Sequence, residues 1–209
     1  MAKRTNKEGK LRILAVGDLH ANLGQARALA KRAKKECVDL VVLNGDFTIA
    51  ETNLKGILGS FKEEGLELVL LPGNHESEAT VEYLARLYGA INLHNSYLVK
   101  KGVGLFGCGS ANIGLFQLPD GEIFDILAKN NKKIEHLETK IMFTHVHPKA
   151  SMVERLTSFP GSSGVSRAIK YFKPKIAVCS HIHEAHGLTE KIGDTYVYCV
   201  GPTGKIIEA

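Results

Sequence analysis

Short apolar runs alternate with segments of helical period along this chain, and polar residues gather where the runs end. Leu11–Val16, Asp39–Leu43, Glu67–Leu71, Ser96–Val99, Val103–Phe106, Lys140–Thr144, Lys175–Cys179, Gly187–Lys191 and Thr195–Val200 are strand-sized, which predicts β-strands there. Helical spacing predicts helices over residues 23–36, 51–64, 77–88, 121–130 and 163–172. The first has a start signal, because Asn22 followed three residues later by Gln25 resembles a capping box. Strands alternating with helices in the first half predict parallel βαβ units, and the strand-rich second half predicts a mixed or antiparallel continuation. The expectation is an α/β fold built around more than one sheet.

Length and composition narrow the class. A chain of 209 residues, 44% of them hydrophobic, can bury a sizeable core, and no linker, repeat or low-complexity segment divides it. One domain over 11–209, preceded by a flexible basic tail over 1–10, is expected. No apolar run approaches the roughly 18 residues of a membrane span, and the run at Ile13–Val16 is too short for a signal-peptide core. A cytoplasmic protein with no membrane partner is the expectation. Cys37, Cys108, Cys179 and Cys199 show no C-x-x-C spacing and read as free thiols, mostly buried.

The net charge of +5 permits an acidic partner, nucleic acid included. Its distribution argues otherwise. Lys3, Arg4, Lys7 and Lys10 fall in the tail, while Arg27, Lys31, Lys34 and Lys35 lie opposite Ala26, Leu29, Ala30 and Ala33 at helical spacing, as a solvated helix face does. Nucleic acid is therefore not the favoured partner.

The residues with chemistry sit where strands end. Asp18-Leu19-His20, Gly45-Asp46, Asn74-His75, His145, and His181 with His183 each follow an apolar run. Loops converge at the carboxyl edge of parallel sheets, so these donors can meet in space. If the chain stays extended, Asp18 with His20 and His181 with His183 project to one side in pairs. A lone Asp-x-His or Gly-Asp is ordinary, the latter often only a turn. Five such elements in succession are not. Imidazole and carboxylate without cysteine suit Mn, Fe, Zn, Co or Ni better than Ca.

The set "GDLH", "NGDFT", "PGNHE", "FTHVHP" and "CSHIHE" resembles the calcineurin-like metallophosphoesterases, from Asp18 to His183. The resemblance implies two mixed β-sheets packed as a sandwich flanked by helices, holding two divalent ions, with Mn2+ the first expectation. By motif, one ion falls to Asp18, His20, Asp46 and His183, and the other to Asp46, Asn74, His145 and His181, with Asp46 shared. Catalytic roles fall to Asp46 and His75, the latter assisting the leaving group. The implied reaction is hydrolysis of a phosphodiester bond, with phosphomonoesters the second candidate class, by attack of a metal-bridging hydroxide. Two divalent ions against two carboxylates and a hydroxide leave roughly one surplus positive charge, which favours a phosphate-ester substrate. A nuclease, or a catalytically weak scaffold of the same fold, are the alternatives.

Departures from the family pattern are Thr48, which cannot be a strong metal ligand, and Ser180, which stands where glycine is common. His147 could face the site as His145 does, and His145 is preferred because it directly follows its strand. His186 reads as a surface histidine, and Glu76 has no role beyond a supporting hydrogen bond. "GVGLFG" over 102–107 matches G-x-G-x-x-G but continues a strand, so no dinucleotide-binding residues are expected. "FPGSSGVSR" reads first as a helix cap, and "GCGSANIGLF" as a loop over the site.

Overall fold

Two β-sheets lie face to face in the computed structural model, which describes residues 9–52 and 56–209. Positions 1–8 of the basic tail expected over 1–10 and positions 53–55 of the expected second helix lie outside the described residues. In chain order the elements are β1 (Arg12–Val16), α1 (Leu23–Lys35), β2 (Leu40–Asn44), α2 (Ile57–Glu63), β3 (Leu68–Leu71), α3 (Glu78–Tyr88), β4 (Ile91–Asn92), β5 (Ser96–Lys100) and β6 (Val103–Cys108). They continue with α4 (Asp120–Lys133), β7 (Lys140–Thr144), α5 (Met152–Thr157), α6 (Ser163–Phe172), β8 (Ile176–Cys179), a 3-10 turn (His183–Ala185), β9 (Thr189–Ile192), β10 (Thr195–Cys199) and β11 (Lys205–Glu208).

The first sheet runs β11-β1-β2-β3-β4 and the second β5-β6-β7-β8-β10-β9. Inside each, parallel neighbours carry the sequence-adjacent βαβ units, and antiparallel strands close three of the four edges, β11 on β1, β5 on β6 and β9 on β10, while β4 pairs parallel with β3 at the fourth. Alternation along each strand divides the apolar residues. Ile13, Leu40, Val42 and Val69 face Leu105, Ile141, Phe143 and Val178 across the sandwich. Leu14, Val16, Val41 and Leu43 turn outward onto α1, α2 and α3, while Phe106, Met142 and Ala177 turn outward onto α4 and α6. Strands covered on both faces read as continuous apolar runs, which is why the sequence exposes them so clearly.

α1 starts at Asn22, whose side chain accepts the Gln25 N–H, but the Gln25 amide donates to the Pro202 carbonyl at 2.7 Å instead of closing the reciprocal half of the box. Ala26, Leu29, Ala30 and Ala33 are its buried face. β4, two residues long, and β11, held by pairing Ile13 with Ile207 and Leu14 with Ile206, have no signal of their own length or period. α5 is six residues, too short for a periodicity to show. The four cysteines are free, with Cys37 exposed and the other three buried. No helix among the described residues is long and apolar enough to cross a membrane.

Phe143 is fully buried between the sheets. Phe143→Ala is expected to lower unfolding free energy by about 3–5 kcal/mol in denaturant titration, whereas Tyr83→Ala, at a side chain left 60% exposed, should change it by about 0.5 kcal/mol or less.

Candidate metal centre

The site grows from the carboxyl ends of β1, β2, β3, β7 and β8. The chain does not stay extended there. Asp18 (φ 52°), His20 (φ 42°), Asp46 (φ 50°) and His181 (φ 74°) are all left-handed, so the pairwise projection expected of an extended chain is not how the donors converge. Tight turns do it instead, and cross-loop hydrogen bonds hold them. His20 N–H donates to the Asp46 carbonyl at 2.9 Å and Ala21 N–H to that of Phe47 at 3.0 Å, so the β1 and β2 loops are laced together. At His181 the Ile182 N–H folds back on the Ser180 carbonyl at 2.9 Å. Non-glycine residues in this region cost about 1–3 kcal/mol each and persist only where the surroundings hold them.

Close approach explains two glycines. Gly45 has φ 89°, and a Cβ on it would lie 2.3 Å from His145 Nδ1. A Cβ on Gly73 would lie 2.0 Å from Asp46 Oδ1. Side chains at either position would drive Asp46 and His145 out of place.

Three groups of donor atoms result, each with its members within 4.8 Å of one another: Asp18, His20 and His183; His20, Asp46 and His75; Asp46, His145 and His181. His20 Nε2 and His183 Nε2 are 2.9 Å apart. His145 Nε2 lies 3.2 Å from Asn74 Oδ1 and 3.4 Å from Asp46 Oδ2. Asp46 belongs to two of the groups, and its Oδ1 accepts the His75 N–H at 2.9 Å, which leaves Oδ2 to face the histidines.

Whether divalent ions fit is decided by the groups left over. Asp18 Oδ1 and His181 Nε2 are buried and have no hydrogen-bond partner among the described residues. Buried polar atoms are normally paired, and here both belong to donor groups. Asp18 Oδ2 is already occupied by the His181 N–H at 3.1 Å and His186 Nε2 at 2.7 Å, which leaves the orphaned Oδ1 for a cation. The donor set fits.

Charges respond to the same crowding. Burial works to raise the Asp46 carboxyl, but the nearby His145 ring and the His75 N–H hold it well below the usual range. Burial works to lower His145, yet the Asp46 charge carries it up to about 10. His181 is pushed down to about 3 by burial and by His145 beside it, and burial also lowers His20. A ring held neutral offers the lone pair a metal needs.

Residues beyond the donors are built into this arrangement, Glu76 among them with the supporting hydrogen bonds expected of it. Glu76 is fully buried, and its carboxylate accepts four bonds: Asp46 N–H and Gly73 N–H at 2.9 Å, Thr48 N–H at 2.8 Å and the Thr48 hydroxyl at 2.7 Å. Burial and the Asp46 charge push its own pKa up. It thereby fastens the β3 loop that carries Asn74 to the β2 loop that carries Asp46. The Asn44 side-chain amide donates to the Thr144 carbonyl at 2.8 Å across the seam, and the Asn44 backbone carbonyl accepts His145 Nδ1–H at 2.9 Å and the Ser180 hydroxyl at 2.7 Å. Ser180, where glycine is common in the family, is thus a fastener of His145.

His186 corrects the expectation of a surface histidine. The 3-10 turn swings it back onto Asp18, over Gly201, and no spacing rule would have revealed this contact. His147 Nε2 donates to the Phe159 carbonyl at 3.2 Å, and it joins none of the donor groups, whereas His145 does. Ser162 caps α6 and bonds Asp120, and Arg167 stacks over Phe124, so that segment sends no charge to the site. In the glycine-rich loop, Phe116 N–H donates to the Asn74 carbonyl at 3.1 Å, which places that loop against the site.

The family model for calcineurin-like phosphoesterases matches residues 11–185. No curated protein matches the sequence significantly. Solved structures with a similar fold include a protein from Thermus thermophilus (17% identity, 95% of this chain and 98% of that one, TM-score 0.76). Others are a dimetal phosphatase from Danio rerio (11%, 92% and 88%, TM-score 0.67) and the phosphopantetheinyl hydrolase from Mycobacterium tuberculosis (14%, 92% and 89%, TM-score 0.64). At these identities the likeness is one of fold.

Glu76→Gln places an amide N–H against donors that need an acceptor. An unsatisfied buried group costs about 1–3 kcal/mol, so thermal unfolding of the metal-free protein should shift down, and Mn2+ affinity measured by calorimetry should fall. An unchanged pair of values would mean that Glu76 does not hold the two loops.

Proposed function

Because the chain belongs to the calcineurin-like phosphoesterase family, we propose that it is a dinuclear-metal hydrolase of phosphate esters, acting first on phosphodiesters and second on monoesters. Asp18, His20, Asp46 and His183 would hold one divalent ion, and Asp46, Asn74, His145 and His181 the other, with Mn2+ the first ion to test and Fe, Zn, Ni or Co compatible with the same donors. When bound, such ions supply Lewis acidity toward the phosphate and toward water.

The chain's own residues do the rest. The observation that carries the reading is the convergence of three overlapping donor groups, joined to one another through His20 and through the buried carboxylate of Asp46. Its neighbour in the site, His75, is oriented to give a hydrogen bond. The Ala50 N–H donates to His75 Nδ1 at 3.1 Å, so in the neutral ring the proton resides on Nε2. Nε2 lies 4.0 Å from Asp46 Oδ2, and the ring packs edge-on against His20 at 5.0 Å between centroids. His75 thus presents a hydrogen-bond donor to the site's interior, where negative charge develops on the leaving oxygen. Asn74 contributes a neutral oxygen, which leaves the site's positive charge available to an anionic ester.

The test is metal analysis with parallel assays on bis(p-nitrophenyl) phosphate and p-nitrophenyl phosphate. Asp46→Ala is expected to lose metal and turnover together. His75→Ala should keep its metal and lose about 10²–10⁴-fold in kcat. Release of metal by His75→Ala as readily as by Asp46→Ala would overturn the assignment of roles, and full activity after exhaustive chelation would overturn the metal-dependent reading.

A further inference from the structure

Beside the donor groups lies a cavity of about 240 Å³ whose walls include His181 and His183. The rest of its lining is Ile113, Phe159, Ile182 and Glu184. Three of these four are apolar, the fourth is an acid, and neither lysine nor arginine contributes among the described lining residues. Phe159 is 43% exposed, and the buried His147 ring fixes its backbone carbonyl. The two apolar walls come from different segments and are tied together, because the Asn112 amide donates to the Gly161 carbonyl at 3.4 Å.

We infer that this cavity receives the organic substituent of the phosphate ester, and that the substituent is apolar, an aryl ring or a short alkyl chain, and not a nucleotide or a polyphosphate. The inference deepens the phosphoesterase reading and rests on it. A space of roughly 150 Å³ holds a benzene ring, so this open cleft of about 240 Å³ has room for one ring against Ile113, Phe159 and Ile182. Position supplies the second argument: His181 and His183 are shared between the cavity and the donor groups, so a group linked to the bound phosphate enters it directly. Charge supplies the third. Glu184 repels a further phosphate, and no cation in the lining offsets that repulsion, which a nucleotide chain or a diphosphate would require.

The experiment compares methyl, benzyl and thymidine 5′ esters of p-nitrophenyl phosphate, in which the departing nitrophenolate is constant, with the Mn2+-loaded protein. A second readout, calorimetric binding of methylphosphonate and benzylphosphonate, is independent of turnover. The benzyl compounds are expected to exceed the methyl ones by about tenfold or more in both kcat/KM and affinity, the scale on which apolar pockets discriminate. In Phe159→Ala and, separately, Ile113→Ala the benzyl-to-methyl ratio should fall severalfold, and Phe159→Leu should restore most of it. Equal values for methyl and benzyl, a ratio unmoved by both alanine variants, or a preference for the thymidine ester would overturn the inference alone. Hydrolysis of none of the three esters would remove the phosphoesterase reading, and this inference with it.

Discussion

Asp18 and Asp46 are carboxylates taken out of water, 4% and 2% exposed, at the seam where two apolar sheets meet. A buried carboxylate costs several kcal/mol unless charge and hydrogen bonds compensate it. The surrounding structure can be read as that compensation. Backbone N–H groups of His75 and His181 take one oxygen of each, His186 takes a share of Asp18, and His20, His145, His181 and His183 crowd the remainder. The left-handed turns and the glycines that let loops touch are what this crowding demands of the backbone.

The same constraint explains why the supporting residues come from so far apart in sequence. Asp18 is held by groups near position 181 to 186, and Asp46 is fastened through Glu76 to the loop of Asn74. Asn44, Thr144 and Ser180 bind one sheet to the other directly beneath the donors. Assembly of the sandwich and assembly of the site are therefore one event: the donors cannot converge unless both sheets are in register. His75 lies within the donor cluster with one nitrogen engaged by the backbone and the other facing Asp46, an arrangement that fits the role proposed for it.

Much of this was legible in the sequence. Strands buried on both faces announce themselves as apolar runs, and the ordered set of donors after them located the site and its family. What stayed hidden depends on contacts between distant segments. β11 exists because β1 has a free edge, and Ile206 and Ile207 alone do not declare it. The extended geometry expected for Asp18-Leu19-His20 failed because spacing says nothing of the sign of φ, and here the loop bonds fix it positive. Asn44, Ser180 and His186 bear on donors brought to them only by folding, so no local pattern could have assigned them, and for Glu76 the sequence suggested a supporting hydrogen bond without its partners.

The claim on which the rest turns is that Asp46 is shared between two cation sites. Anomalous diffraction from crystals grown with Mn2+ tests it most directly. The account predicts two peaks per chain, one among Asp18, His20 and His183 and one among His145, His181 and Asn74, with Asp46 in contact with both. A single peak, or two peaks of which one does not touch Asp46, would contradict it.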